Sequence, residues 1–84
     1  MFTKTVTVGS AVGLHARPAA QVADAAGEYD EDITLTTADG EADAASIIEI
    51  MGLGAMQGAE VTVTSENEAA VEEIAALIES DLDA

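Results

Sequence analysis

Two periodicities meet in the segment Val61-Thr62-Val63-Thr64-Ser65-Glu66-Asn67-Glu68. Valine alternates with threonine over its first half, which predicts a half-buried strand. Ser65 and Glu68 have the spacing of a capping box, which predicts that a helix begins at Ser65. The apolar residues that follow recur at helical spacing: Val71, Ile74, Ala75, Leu77 and Ile78. The segment therefore predicts a strand that leads directly into an amphipathic helix.

The N-terminal part of the chain repeats this pair of patterns. Val6 and Val8 alternate with threonine and predict a first strand, which is followed by a loop over residues 9–13. Apolar residues recur at helical spacing from Ala16 to Ala26, and Gly27 is suited to end that helix. This part is therefore a second strand–helix unit.

The central part predicts a hairpin and a short helix. Ile33 and Leu35 alternate with threonine, Ala38-Asp39-Gly40 has turn chemistry, and Glu41 to Asp43 would return as a short edge strand. Ser46 and Glu49 repeat the capping-box spacing, while Gly52 and Gly54 limit the helix that they begin. The predicted order is strand, helix, strand, strand, helix, strand, helix. With one apolar stripe per helix and alternation in the strands, this order indicates two layers, a mostly antiparallel sheet with helices on one face and water on the other.

Acidic residues dominate the composition. The 84 residues include 17 acids and 2 bases, for a formal net charge of −15. Such a charge argues against nucleic acid and anionic membrane as partners, since both are polyanions. The acids are dispersed among periodic apolar residues, which favours a folded domain adapted to high salt over a disordered chain. The length allows one small domain, residues 1–84.

Processing and redox signals are absent from the sequence. It contains no cysteine, no apolar run of membrane-spanning length and no signal-peptide pattern in its first residues. We therefore expect a cytoplasmic protein without disulfides.

The only histidine and the only arginine lie two residues apart in Gly13-Leu14-His15-Ala16-Arg17-Pro18-Ala19-Ala20. The helix predicted from Ala16 has unpaired N–H groups in its first turn, and these favour anions. A nucleophilic ring nitrogen, a guanidinium and the backbone N–H groups of Ala16 and Arg17 together suit a phosphoryl group. We predict that His15 carries one. The alternative is that His15 caps the helix or lies on the surface and that Arg17 is only a surface cation.

Three further questions concern metal or cofactor binding, the role of Ser46, and the apolar residues that follow it. One histidine without clustered carboxylates predicts no metal site, and no cofactor is expected. Ser46 is either an N-cap alone or also a regulatory phosphorylation site. Ile47 and Met51 belong either to the core or to a docking surface. A short helix cannot bury Ile47, Ile48, Ile50 and Met51 all on one side, so we expect part of this set to be exposed, as in a partner-binding site.

The segment from Gly13 to Ala19 resembles the phosphorylation motif of the HPr family, the histidine-containing phosphocarriers of the sugar phosphotransferase system. The segment Ala45-Ser46-Ile47-Ile48-Glu49-Ile50-Met51-Gly52-Leu53-Gly54 resembles the second family signature, and the likeness spans essentially the whole chain. The resemblance implies an α+β fold, an open-faced β-sandwich of order βαββαβα in which three helices cover one face of a four-stranded antiparallel sheet. It also implies a monomer.

The resemblance further implies a function and its partners. His15 would accept a phosphoryl group from phosphorylated enzyme I, ultimately from phosphoenolpyruvate, through Nδ1, and pass it to an enzyme IIA domain. Arg17 would orient and neutralise the group. The docking surface of the family corresponds here to Ala16, Ala20, Ile47, Ile48 and Met51, and its regulatory serine to Ser46. Such a protein is a covalent intermediate in group transfer rather than an autonomous enzyme.

The chain departs from the family pattern in its charges, and other destinations stay open. Lysines that family members often carry near the site are absent, with Asp24, Gly27, Ala45 and Glu49 in this region instead. We therefore expect docking to depend on apolar contact rather than on electrostatic steering. The alternatives are a phosphoryl donor to a dihydroxyacetone kinase or a nitrogen-type relay, and a regulatory protein-binding module.

Overall fold

The computed structural model describes residues 1–82, which form four strands and three helices. The elements are β1 (Phe2–Thr7), α1 (Ala16–Ala26), β2 (Ile33–Thr37), β3 (Gly40–Asp43), α2 (Ile47–Gly52), β4 (Glu60–Ser65) and α3 (Glu68–Glu79). This is the predicted order βαββαβα. The helix predicted from Ala16 to Ala26 has those bounds in the structure.

The four strands form one antiparallel sheet in the order β1-β4-β2-β3. The register places Thr3, Thr64 and Thr34 in one row across the sheet and Thr5, Thr62 and Thr36 in the next. The alternate rows hold Val63 and Leu35, which are fully buried. Because neighbouring residues of a strand point to opposite faces, one face of the sheet is polar and the other is apolar, except for Lys4 on the edge strand β1, which pairs with Val63.

The helices bury their apolar stripes against the apolar face of the sheet. The core is a single cluster, to which α1 contributes Val22 and α3 contributes Ile74 and Ile78. Alanine fills much of the remaining space, as at Ala19, Ala70 and Ala75, all of which have no exposed surface. The expected architecture, a four-stranded antiparallel sheet with three helices, is confirmed. Over residues 1–82, no helix has both the length and the apolar character needed to cross a membrane.

The start of α3 differs from the prediction. Asn67, and not Ser65, is the N-cap residue, and its side chain accepts a hydrogen bond of 3.2 Å from the N–H of Ala70. Ser65 is only 3% exposed and is the last residue of β4, where it pairs with Phe2 and Ile33. Its hydroxyl accepts a hydrogen bond of 3.2 Å from the N–H of Asn67, so Ser65 contacts the N-cap residue and is not the N-cap itself. The sheet thus extends β4 through the residue that the capping-box spacing assigned to the helix.

Candidate functional site

His15 is the N-cap residue of α1. Its backbone is extended, with φ −95° and ψ −164°, and its exposed side chain makes no capping hydrogen bond. The carbonyl oxygen of His15 accepts a hydrogen bond of 2.8 Å from the N–H of Ala19. The backbone of His15 therefore begins the helix while its ring is left free for other partners.

The first turn of α1 offers two backbone donors. Pro18 has no N–H, and the N–H of Ala19 is already bonded to His15. The N–H groups of Ala16 and Arg17 have no hydrogen-bond partner within the described part of the chain. Unpaired N–H groups at a helix N-terminus carry partial positive charge and are suited to bind an anion. Proline at this position therefore leaves the donors of Ala16 and Arg17 as the pair beside His15.

A glycine contact fixes the backbone that leads into His15. Gly13 has a φ of +75°, a conformation that favours glycine, and a Cβ at this position would lie 2.4 Å from the carbonyl oxygen of Ala55. The same oxygen accepts a hydrogen bond of 2.8 Å from the N–H of Leu14, whose side chain is buried. The loop before α1 is therefore anchored on the loop between α2 and β4, and His15 emerges from that anchor.

Arg17 is the cation available to an anion at this end of the molecule. Among residues 1–82, the N-terminal amine pairs with Glu66 at 3.2 Å and Lys4 with Glu72 at 3.0 Å, and Arg17 has no carboxylate partner. Residues 9–23 and residues 50–59 contain no acidic residue, although the chain has 17 of them. An anion at His15 would therefore meet a guanidinium and two backbone donors but no carboxylate from these two segments.

Exposed apolar side chains also lie on the segments around His15. On α2, Ile48 is 83% exposed and Ile47 41% exposed, whereas Ile50 is buried. Ala16 is exposed, and Ala20 and Met51 are half-buried, Met51 packing against the core. The expectation that the short helix could not bury all four large side chains is therefore correct.

Sequence reasoning missed two members of this surface. Val12, in the loop before His15, is 51% exposed, and Met56, which follows the anchoring residue Ala55, is 63% exposed. The Cα of Met56 lies 2.9 Å from where a Cβ of Gly13 would be. No periodic pattern marks either residue, because each lies in a loop. Only the contact between the two loops brings Met56 next to the segment that carries His15.

Ser46 lies at the N-terminus of α2. Its hydroxyl accepts a hydrogen bond of 3.2 Å from the N–H of Glu49, as the capping-box spacing predicts. The carboxylate of Glu49, however, accepts from the N–H of Asp43 at 3.0 Å rather than from Ser46. The N–H of Ser46 donates to the carbonyl of Asp43 at 3.0 Å. The structural role of Ser46 as an N-cap is thus established, and its phosphorylation stays a prediction.

The arrangement at His15 defines a class of protein. Residues 1–82 contain no cluster of three or more histidine, aspartate or glutamate side chains able to hold a metal ion. An exposed imidazole at a helix N-terminus, with a guanidinium and two N–H groups that have no partner among residues 1–82, is an arrangement suited to a phosphohistidine carrier built on an α+β scaffold.

Comparison with known proteins identifies the family. The family model described as the PTS HPr component phosphorylation site matches residues 2–80, and the chain belongs to this HPr family. Two phosphocarrier proteins HPr illustrate the similarity in sequence. That of Streptomyces coelicolor is 40% identical over 87 aligned residues, covering 99% of this chain and 94% of the relative. That of Vibrio cholerae is 38% identical over 78 residues, covering 93% of this chain and 92% of the relative.

Solved structures of the family have the same fold. The crystal structure of HPr-C-His from Thermoanaerobacter tengcongensis matches with a TM-score of 0.91 and 33% identity, covering 100% of this chain and 98% of that one. The phosphocarrier protein HPr from Bacillus anthracis matches with a TM-score of 0.86 and 35% identity, covering 92% and 95%. The resemblance inferred from the two sequence motifs is confirmed.

Proposed function

We propose that this protein is a phosphocarrier of the phosphotransferase system that accepts a phosphoryl group on His15. The observation that carries the proposal is the combination at the start of α1: an exposed ring at the N-cap with no capping bond, beside the free N–H groups of Ala16 and Arg17. Membership of the HPr family supports the same assignment.

The transfer requires a nucleophile and a way to stabilise the charge that it gains. The unprotonated Nδ1 of His15 attacks the phosphorus atom of the donor's phosphoryl group. A nitrogen–phosphorus bond forms as the donor's own bond to phosphorus breaks, and the donor keeps that electron pair. The N–H groups of Ala16 and Arg17 then donate to the phosphoryl oxygens, and the Arg17 guanidinium offsets their charge. The reverse sequence hands the group to the recipient.

The proposed donor is phosphorylated enzyme I, charged from phosphoenolpyruvate, and the proposed recipient is an enzyme IIA domain for sugar uptake. Both would dock on the apolar surface around His15, for which we now name Val12 and Met56 beside Ala16, Ala20, Ile47, Ile48 and Met51. Exposed apolar side chains grouped in this way are typical of a protein-binding site. We propose that the protein acts as a monomer in the cytoplasm, where such transient partners would meet it.

Labelling with phosphoenolpyruvate tests the assignment. With the cognate enzyme I and labelled phosphoenolpyruvate, the wild-type chain should become a phosphoprotein that is labile in acid and stable in base. His15→Ala should take up no label, and Arg17→Ala should be labelled more slowly. Ser46→Ala is the matched control, because it removes the other candidate phosphorylation site and should be labelled as the wild type is. Equal labelling of His15→Ala would refute the proposal.

A further inference from the structure

The structure buries a hydroxyl on the loop before His15 that the site described above does not use. Within residues 1–82 the buried polar side chains are those of Ser10 and Ser65, and Ser10 has no exposed surface. The Ser10 hydroxyl accepts a hydrogen bond of 2.9 Å from the N–H of Leu82 and donates one of 3.4 Å to the carbonyl of Ser80. Burial of a hydroxyl costs free energy unless its hydrogen bonds are satisfied. The Ser10 hydroxyl satisfies them with the backbone of residues 80–82.

Residues 80–82, which we term the C-terminal segment, contact both sides of the His15 region. On the far side of His15, the side-chain amide of Gln21 on α1 donates to the carbonyl of Leu82 at 3.1 Å. Next to Ser10, the N–H of Gly9 donates to the carbonyl of Ile78 at 3.0 Å, and a Cβ on Gly9 would lie 2.0 Å from the carbonyl oxygen of Glu79. The C-terminal segment and the end of α3 thus hold the loop before His15 and the helix after it.

Ser10 is also linked to the backbone that presents His15. Its carbonyl accepts a hydrogen bond of 2.9 Å from the N–H of Gly13, and the next residue, Leu14, is bonded to Ala55. The loop is therefore fixed on the C-terminal segment through Ser10, on the end of α3 through Gly9, and on the loop between α2 and β4 through Leu14. Loss of the Ser10 hydroxyl would remove the first of these supports, which holds the residue bonded to Gly13.

We propose that Ser10 is a positioning residue for phosphoryl transfer, acting through the C-terminal segment to fix the loop that presents His15. The proposal rests on the proposed function, since it assumes that His15 is the acceptor. In-line transfer needs close alignment of nucleophile and phosphorus, and a displacement of about 1 Å can slow a reaction about 100-fold. Because Ser10 has no exposed surface, it would touch neither the phosphoryl group nor the partner.

Its loss should therefore alter the rate and not the docking. The exposed isoleucines of α2 belong to a different element, so we expect them to keep their positions when Ser10 is changed. With the chain as substrate of its cognate enzyme I, we expect Ser10→Ala to lower kcat about tenfold, within the range that misalignment produces. The KM for the chain should stay within about twofold, because it reports the docking surface, of which only Val12 lies on the loop that Ser10 holds.

Ser65→Ala is the matched control. Ser65 is likewise a buried serine, 3% exposed, whose hydroxyl accepts one backbone hydrogen bond. Ser65 ends β4, whereas Glu60, at the other end, directly follows the loop between α2 and β4 on which Leu14 is anchored. The two ends of the strand are about 17 Å apart. Both variants lose a buried hydroxyl and some stability, and only Ser10→Ala should lose kcat. Gln21→Ala, a change of an exposed side chain, should lower kcat in the same direction by about threefold, because it removes one of the contacts that hold the C-terminal segment.

Each outcome decides the proposal. An unchanged kcat for Ser10→Ala, or an equal fall for Ser65→Ala, would overturn it. If Ser10→Ala does not fold, the test is the kcat of Gln21→Ala, and an unchanged kcat for that variant would overturn the proposal. The amide resonances of Ala16 and Arg17 in the full chain should shift in Ser10→Ala and stay in place in Ser65→Ala. Failure of the wild-type chain to take up phosphoryl would refute the proposed function itself, whereas a transferring wild type with a normal Ser10→Ala would refute this inference alone.

Discussion

The end of the molecule that presents His15 and the remaining surface differ in chemistry. Residues 9–23 and 50–59 contain no acid, and all 17 acidic residues lie in the other parts of the chain. The two acid-free segments are joined in space, because the Leu14 N–H donates to the carbonyl of Ala55 and the Gln57 side-chain amide donates to the carbonyl of Gly9. We call this joined region the acid-free end.

The difference shows where a strongly acidic protein can accept more negative charge. A phosphoryl group adds up to about two negative charges, and its repulsion from neighbouring carboxylates grows as they approach. The acid-free end provides Arg17, two unpaired N–H groups and exposed apolar side chains, whereas the rest of the surface provides solubility. Function in this protein therefore depends on where acids are excluded as well as on which residues are present.

Separating the two acid-free segments should have the largest effect. Gly13→Ala places a Cβ 2.4 Å from the Ala55 carbonyl oxygen and forces a φ of +75° on alanine, so the two loops must move apart. We expect a loss of about 3 kcal/mol in the free energy of unfolding, measured by chemical denaturation.

The control for this change is another glycine of the same region. A Cβ on Gly52, at the end of α2, would meet nothing within 4 Å. Gly52→Ala should therefore leave stability unchanged or raise it by about 0.5 kcal/mol. Equal stability of Gly13→Ala and Gly52→Ala would show that the loop contact is not the anchor.

Salt should stabilise the acidic part of the surface. At about 1 M ionic strength the Debye length falls to roughly 3 Å, which screens dispersed carboxylates from each other. Because the net charge is −15, we expect Tm to rise by about 10 °C, equivalent to about 2 kcal/mol, between dilute and molar KCl. A calorimetric Tm that does not respond to KCl would contradict the interpretation. The triple variant Asp24→Asn, Asp39→Asn and Glu60→Gln should show a smaller rise.

An acid placed on the exposed apolar surface of α2, next to the acid-free end in the chain, should weaken docking. Ile48 is 83% exposed, so Ile48→Glu should leave stability nearly unchanged. We expect the KM for the chain as substrate of enzyme I to rise about tenfold, a loss of about 1.4 kcal/mol in binding. Phe2→Glu, at the 42% exposed Phe2 of β1, is the control and should leave KM as it is. Similar KM values for the two variants would show that α2 is not part of the docking surface.

The smallest effect concerns a contact outside the acid-free end. The Tyr29 hydroxyl donates a hydrogen bond to the Glu73 carboxylate, which raises the pKa of Tyr29 above its usual 10.0. The folded state thus favours the neutral phenol. Its contribution to stability is complete below about pH 10 and is lost as pH rises through the folded pKa.

Tyrosinate absorbance measures the pKa of Tyr29 directly, since Tyr29 is the only tyrosine and the chain has no tryptophan. Glu73→Gln keeps an acceptor but removes the charge, so the pKa of Tyr29 should move back toward 10.0. A Tyr29 pKa that is the same in the Glu73→Gln variant as in the wild type would contradict the assigned cause.

Most of the secondary structure could be predicted because it follows from local patterns. The bounds of α1 and the N-cap role of Ser46 depend on residues within one or two turns of each other. The prediction was wrong where two local signals compete. Ser65 and Asn67 both suit an N-cap, and pairing of Ser65 with Phe2 and Ile33 retains it in β4, which leaves the cap to Asn67. A short-range sequence pattern cannot predict the pairing of Ser65 with Phe2 and Ile33, because these residues are far apart in the chain.

Local sequence patterns account for the parts of this protein that act over short distances. The order of its elements, the pairing of His15 with Arg17, and the free donors of Ala16 and Arg17 all follow from neighbours along one helix and its first turn. These properties arise from backbone geometry and side-chain periodicity, which a linear sequence displays directly.

The surroundings of that site depend on contacts between distant parts of the chain. The contacts between Leu14 and Ala55, and between Ser10 and Leu82, join residues that are remote in the chain. They expose Met56 beside Gly13 and fix the loop before His15 from two sides. Such contacts form because the sheet and its helices share one core, and packing of that core brings distant loops together.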